Sequence, residues 1–291
     1  MTPSEINKYR HRKERSRYIL TYFVMVPFLI LLLVITFATA GTGLLGLLIF
    51  YGIFRILLWF VHSMSMALIR NNMIEVTETS FPEAYAAIHE ARGFFGYDKP
   101  VVGYVYQDGT YDALIAPLMR TKVLLLNSEV MDADNGQNKE MRFLIGRFVG
   151  ALAARHYRFM MLEIIIDGFE KIAIFNILLY PYQRATQLTG DRLGYAFIGH
   201  DIQTSVRTLL RLSAGKSVAH RVNVNSFLTQ GRTSAGFFAF LTRMLSRFPH
   251  MTVRVISLVI FARRLGRVVQ REIWLGIKPK APSQRLPAPT G

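Results

Sequence analysis

The sequence contains no cysteine, so disulfides and thiolate metal sites are both excluded. Acids are scarce, 19 against 35 lysines and arginines, and the formal net charge is +16. That excess points to an anionic partner: acidic membrane lipid, an acidic protein or nucleic acid. Charge of either sign is missing between Tyr18 and Phe54, a run of 37 positions. One helix needs roughly 20 apolar residues to cross a bilayer, so the run has room for two passes. None of the seven histidines stands four residues from another, so no helix offers the paired imidazoles of a zinc-peptidase motif. A Gly-rich phosphate loop, a G-x-S-x-G elbow and the kinase signatures are absent as well.

What is present begins with a basic stretch. SEINKYRHRKERSRY holds Lys8, Arg10, Arg12, Lys13, Arg15 and Arg17 against Glu5 and Glu14. The charge-free run follows, interrupted by the small residues TAGTG at 39–43. This pattern predicts a transmembrane helical hairpin with spans at 18–38 and 43–62. It is too long for a cleaved signal peptide, and a second span follows the first. The basic residues before the first span, with Arg70 after the second, place both ends in the cytoplasm. Topology and anionic headgroups then explain residues 1–17 as a basic cytoplasmic arm, ahead of nucleic-acid binding. Arg55, inside the second span, is expected to snorkel to the interface.

Beyond the hairpin the periodicity predicts a mainly helical α+β domain over 70–276. FPEAYAAIHEARGFFGYDKP (81–100) predicts a helix entered after Pro82 and ended near Gly93 or Gly96, strand-like runs are VVGYVYQ (101–107) and KVLLLNS (122–128), and DADNGQNK (132–139) is a polar turn. Helices are expected at 139–158, 184–198, 201–214, 233–247 and 251–275. Residues 159–182 are apolar, but Glu163, Asp167 and Glu170 share one helical face, which predicts an amphipathic surface segment. The proline-rich 277–291 reads as a disordered tail.

FLIGRFVGALAARH (143–156) carries two glycines one helical turn apart. Each costs roughly 1 kcal/mol against alanine inside a helix, so the pair needs a reason. One reason is a close helix contact of the small-xxx-small kind, extended by Ala151 and Ala154.

Another comes from the order of features, which resembles the HtpX-like, CAAX-protease-related membrane zinc metallopeptidases. DKPVVGYV is similar to that family's K-P-x-V-x-V strand, YDALIA to its N-A-F turn with Asp112 at the asparagine, and KVLLLNSEVMDA to the following segment. FLIGRFVGALAARH falls where the H-E-x-x-H helix stands. YQRATQLTGDRLG (182–194) matches the S-R-x-x-E-Y-x-A-D-x-x-G signature through Arg184, Asp191, Arg192 and Gly194. RFPHMTVRV keeps Pro249 and Arg254 of the T-H-P-x-x-x-x-R-I signature, with Phe248 at the histidine.

The resemblance implies a zincin-type domain with a small sheet, in the bacterial inner membrane with its main domain on the cytoplasmic side. It also implies that the chemistry is gone. Gly146 and Gly150 stand for the histidine ligands, Arg147 for the general base and Gln187 for the third ligand. Zinc needs three protein ligands beside its water, so no zinc and no other cofactor is expected. The implied function is a catalytically inactive pseudopeptidase, a scaffold, adaptor or regulator with an unidentified membrane-protein partner. The rival is an active metallopeptidase with a metal site rebuilt from His156, His200, Glu163 or Asp191. Arg147 is expected to pair with the retained Asp191. A peptide is expected along an edge strand at 122–128. Arg263, Arg264, Arg267 and Arg271 form a candidate anionic-lipid or partner surface.

Overall fold

The computed structural model describes residues 1–38, 42–108, 113–118, 121–131, 138–159, 173–219, 221–233 and 236–266. The turn at 39–41, Asp112, the loop 132–137, Glu163, Asp167, Glu170, Arg267, Arg271 and the tail lie outside them.

The chain opens with α1 (Pro3–Tyr9), whose N-terminus is closed by a Thr2/Glu5 capping box. Helix α2 (Glu14–Ala38) continues through Pro27 and touches α3 (Thr42–Asn72). Within α3, Leu48–Asn72 is long and apolar enough to cross a membrane, with mean hydropathy 1.6 and only 6% of the window buried. Strand β1 (Ile74–Glu75) leads to α4 (Pro82–Phe95), which has Pro82 in its first turn and stops at Gly96 in the left-handed region. Next come β2 (Val101–Tyr106), β3 (Ala113–Leu118), β4 (Thr121–Asn127) and the short α5 (Ser128–Met131).

Asn138 caps α6 (Lys139–Ala153) by accepting from the Met141 amide at 2.9 Å. Helix α7 (Ala173–Phe197) precedes α8 (Ile202–Ala214), which is capped by Asp201. The short α9 (Lys216–Ala219) is followed by α10 (Val224–Thr233), α11 (Phe237–Leu245) and α12 (Met251–Arg264).

The sheet order is β1-β2-β4-β3, with β2 and β4 parallel and both outer strands antiparallel to their neighbours. Its two faces follow the alternation of side chains along a strand. Val101, Val105, Leu124 and Leu126 join the main core with α4, α6 and α7. Tyr104 and Val123 turn the other way, onto Ile69 at the end of α3. The apolar helix is therefore packed onto the sheet by its last turns.

Several expectations shift. The strand at 122–128 is no edge, because β4 is hydrogen-bonded on both sides. The edge strand next to it is β3, where Pro117 removes one amide donor. The predicted helix 184–198 begins earlier, at Ala173, and runs through Pro181. Proline removes only one helical donor, and the Pro181 carbonyl accepts from Arg17 at 2.9 Å. The helix expected at 233–247 is described as Phe237–Leu245, and it is preceded by a separate helix, Val224–Thr233, that was not expected. The helix expected at 251–275 ends at Arg264, with Gly266 at φ +64°, a backbone conformation that stops a helix.

Residues 1–17 are not a free arm. Ile6 is buried in the core, and the backbone amide of His11 donates to Thr189 Oγ1 at 2.8 Å. Arg192 donates to the Arg10 carbonyl at 3.1 Å. Glu14, an acid in the most basic stretch, is 2% exposed and lies 3.2 Å from His156 Nε2.

Candidate functional site

Helices α6 and α7 make the largest helix–helix contact of the described residues, and Gly146, Arg147, Gly150 and Gln187 lie along it. A Cβ added to Gly146 would stand 2.6 Å from Cβ of Phe197. One added to Gly150 would stand 2.8 Å from Cβ of Leu193 and 3.1 Å from Phe95. The facing helix contributes two more glycines: a Cβ on Gly194 would meet the Phe143 carbonyl at 2.6 Å, and one on Gly190 the Arg147 stem at 3.2 Å. At 146, 150 and 194 these are distances real Cβ atoms essentially never show, whereas at 190 the contact would only be tight, so the helices approach as closely as they do because those three positions lack side chains. The small-xxx-small reading of the glycine pair thus describes the contact. Gly190 and Gly194 belong to it too, and their spacing of four was visible in QLTGDRLG.

Arg147 leaves this crossing sideways over Gly190. Its Nε lies 3.0 Å from Asp191 Oδ1, and its terminal amino group donates to Gln187 Oε1. The pairing expected between Arg147 and Asp191 is therefore present. Arg254, matched only as a landmark in the sequence, joins the same carboxylate. From α12 it donates twice to Asp191, through Nε at 2.9 Å and a terminal nitrogen at 2.7 Å. A bidentate guanidinium–carboxylate pair of this kind is among the stronger charge-assisted arrangements. All three groups are buried, Asp191 at 1% side-chain exposure. Burial alone would push the Asp191 carboxyl up, but Arg254 and Arg147 outweigh it and hold the carboxyl below the usual aspartate range.

The cluster joins three helices through one carboxylate. Asp191 is engaged by two cations, Arg147 and Arg254, whose charges favour its ionised form. Gln187 turns its amide oxygen to Arg147. The space the resemblance assigns to metal ligands is occupied by the Phe197, Leu193 and Phe95 side chains.

The residues named for a rebuilt site do not gather. His156 bonds Glu14, which also accepts from Thr189 Oγ1. His200 Nε2 lies 3.0 Å from the Tyr9 hydroxyl, and Glu163 is outside the described residues. Among the described residues no group of three histidines or acids is placed to hold a metal ion. The buried Glu14–His156–Thr189 set is not legible in the sequence because Glu14 stands 142 and 175 residues from its two partners.

Of the basic quartet, Arg263 and Arg264 are exposed in the last turn of α12, where cations complement the helix dipole. Arg264 stands close enough to Arg192 to help depress that guanidinium, which burial first and then this neighbour push down to about 10.

No family model, curated protein or solved structure matches the chain.

Proposed function

We propose that the chain is a membrane-anchored pseudopeptidase: an HtpX-like scaffold, without zinc or hydrolysis, that organises or regulates a membrane protein complex. It is anchored by a hairpin of α2 and α3, with the helical domain on the cytoplasmic side of a bacterial inner membrane. The observation that carries this reading is a convergence. Three sequence landmarks assigned to one signature each, around residues 146–150, 187–194 and 254, meet in a single buried cluster. Segments picked from the chain without that relationship have no reason to share one carboxylate.

Two further features support the membrane placement. Leu48–Asn72 has the length and apolarity of a span and is exposed along most of its surface. Helix α11 presents Phe237, Phe238 and Phe240 to the outside at 71, 77 and 56% exposure, as an in-plane interfacial helix does. Its C-terminal carbonyls, of Met244 and Ser246, are held by Arg184 of α7. Pro181 and Tyr182, three and two residues away, touch Arg17 and Tyr18 where α2 enters its apolar run.

The deciding experiment is metal analysis of the purified full chain together with a casein proteolysis assay. The expected result is no stoichiometric zinc and no cleavage. One equivalent of zinc with chelator-sensitive cleavage would overturn the reading. Carbonate-resistant membrane association is the accompanying expectation. Release of the chain by carbonate would remove the anchor from the proposal.

A further inference from the structure

A groove of about 1520 Å³ opens beside the start of α2, between residues 1–19 and the ends of α4 and α6. Six cationic side chains line it, Arg10, Arg12, Arg15, Lys99, Lys122 and Arg155, against two acids, Glu14 and Asp98. Glu14 is already engaged by Arg10, His156 and Thr189. Arg12, Arg15, Lys99 and Arg155 have no acidic partner among the described residues. One wall leads through Tyr18 and Ile19 onto the apolar face of α2, where Ile19 and Phe23 are 47 and 73% exposed. The groove is thus polar and cationic at one end and continuous with an apolar helix surface at the other.

Arg155 adds a second observation. It follows α6 at φ +60°, in the left-handed region where glycine or asparagine ordinarily ends a helix. Holding another residue there costs roughly 1–2 kcal/mol, so the local backbone gives no reason for an arginine. Its side chain lines the groove. The field inside is positive as well. Burial and then Arg192 and Arg17 push the neighbouring His11 imidazole down to about 4, and burial and then Lys99 lower the Lys122 ammonium.

We propose that this groove is a lipid site, in which the phosphate of an anionic phospholipid sits among Arg12, Arg15, Lys99 and Arg155 while its acyl chains run along α2. The inference rests on the membrane reading above and deepens it by naming the ligand and its residues. An amphiphile is the occupant because the groove joins a cation cluster to an apolar helix face; a soluble anion would use only the first. Tyr18, Tyr97 and Tyr157 line the same groove, with rings suited to the headgroup level.

The test uses the full chain reconstituted into vesicles of phosphatidylcholine with a minor fraction of phosphatidylglycerol. Lipid retained after extraction in mild detergent is read by native mass spectrometry. Retention of phosphatidylglycerol above its share of the mixture is expected. A Lys99→Ala/Arg155→Gly double variant should lose that preference by about fivefold per cation. Its thermal midpoint should not fall, because glycine relieves the left-handed residue, so the loss would not reflect misfolding.

Equal retention of the two lipids, or an undiminished preference in the double variant, would overturn the site. Displacement by free glycerol 3-phosphate as readily as by lipid would make it a site for a soluble phosphate ester instead, and would also overturn the proposal. Failure to enter vesicles of phosphatidylcholine alone would remove the membrane reading itself. Entry without a phosphatidylglycerol preference would remove only the lipid site.

Discussion

Arg147 and Arg254 lie buried against one carboxylate, whereas Arg12, Arg15 and Arg155 stand around an open groove with no acid of their own. In the sequence the two sets look alike, as basic residues in an unusually basic chain. Their energetics differ by what lies opposite. A buried guanidinium is tolerable only while its counter-charge is present, and removing that partner costs several kcal/mol. An exposed one interacts weakly with its neighbours and remains available to a ligand. The first set therefore ties helices together, and the second leaves a charge unsatisfied by the protein itself.

The largest effect is expected where the comparison is most directly broken. Asp191→Asn strands two buried guanidinium groups and should lower stability by about 3–5 kcal/mol, read as a drop in the thermal midpoint of the full chain in detergent. A change below 1 kcal/mol would mean the cluster is hydrated and its burial irrelevant.

Gly146→Ala comes next. Alanine normally favours a helix by about 1 kcal/mol, yet here its Cβ would meet Phe197 at 2.6 Å. Overpacking of this kind should reverse the sign and destabilise by about 1–3 kcal/mol in a denaturant titration. Histidine at the same position should do at least as much harm, and placing His, Glu, His and Glu at 146, 147, 150 and 187 together should unfold the α6–α7 contact rather than create a zinc site.

A smaller effect concerns pH at the edge of the groove. His11 is held down to about 4 by burial and by Arg192 and Arg17, against an ordinary value near 6.5. Its Nδ1 accepts from the Lys13 amide, which requires the neutral ring on that side. Between those two values the unfolded chain binds the proton and the folded chain does not, so the folded state gains from neutrality above about 6.5 and loses stability as pH falls towards 4. His11→Gln should flatten the pH dependence of the thermal midpoint across that window. An unchanged slope would assign it to other groups.

The smallest effect has the opposite sign. Arg155→Gly should raise stability by about 1 kcal/mol, since the left-handed backbone then carries no Cβ. A matching loss of stability would show that the Arg155 side chain packs structurally, and would blur the division between buried and exposed arginines.

Much of the element order was legible, because helices and strands announce themselves within a few residues. Pro82 opens α4 as expected and Gly96, rather than Gly93, closes it, while Asn138 and Asp201 cap α6 and α8. Boundaries failed where a local rule was overridden. The helix expected from 184 is described from Ala173 and continues through Pro181, where α7 packs against α2. The strand 122–128 was expected at an edge from the resemblance, but it is paired on both sides, and pairing partners are not written into a strand's own residues. At the candidate site, the expected pairing of Arg147 with Asp191 is present. The role of Arg254 and the second pair of glycines was not predicted, since both depend on how three helices cross.

By itself the sequence determined the charge-free run, the basic excess and the periodicities that make helices and short strands. Those are local or compositional properties, fixed by repeats of two or 3.6 residues. Only the tertiary structure decided that Gly146 and Gly150 serve a helix crossing, that Glu14 is buried in a basic stretch, and that one aspartate answers two arginines 44 and 63 residues away. A charge or a glycine acquires its meaning from what stands opposite it, and that neighbour is chosen by packing across the whole chain.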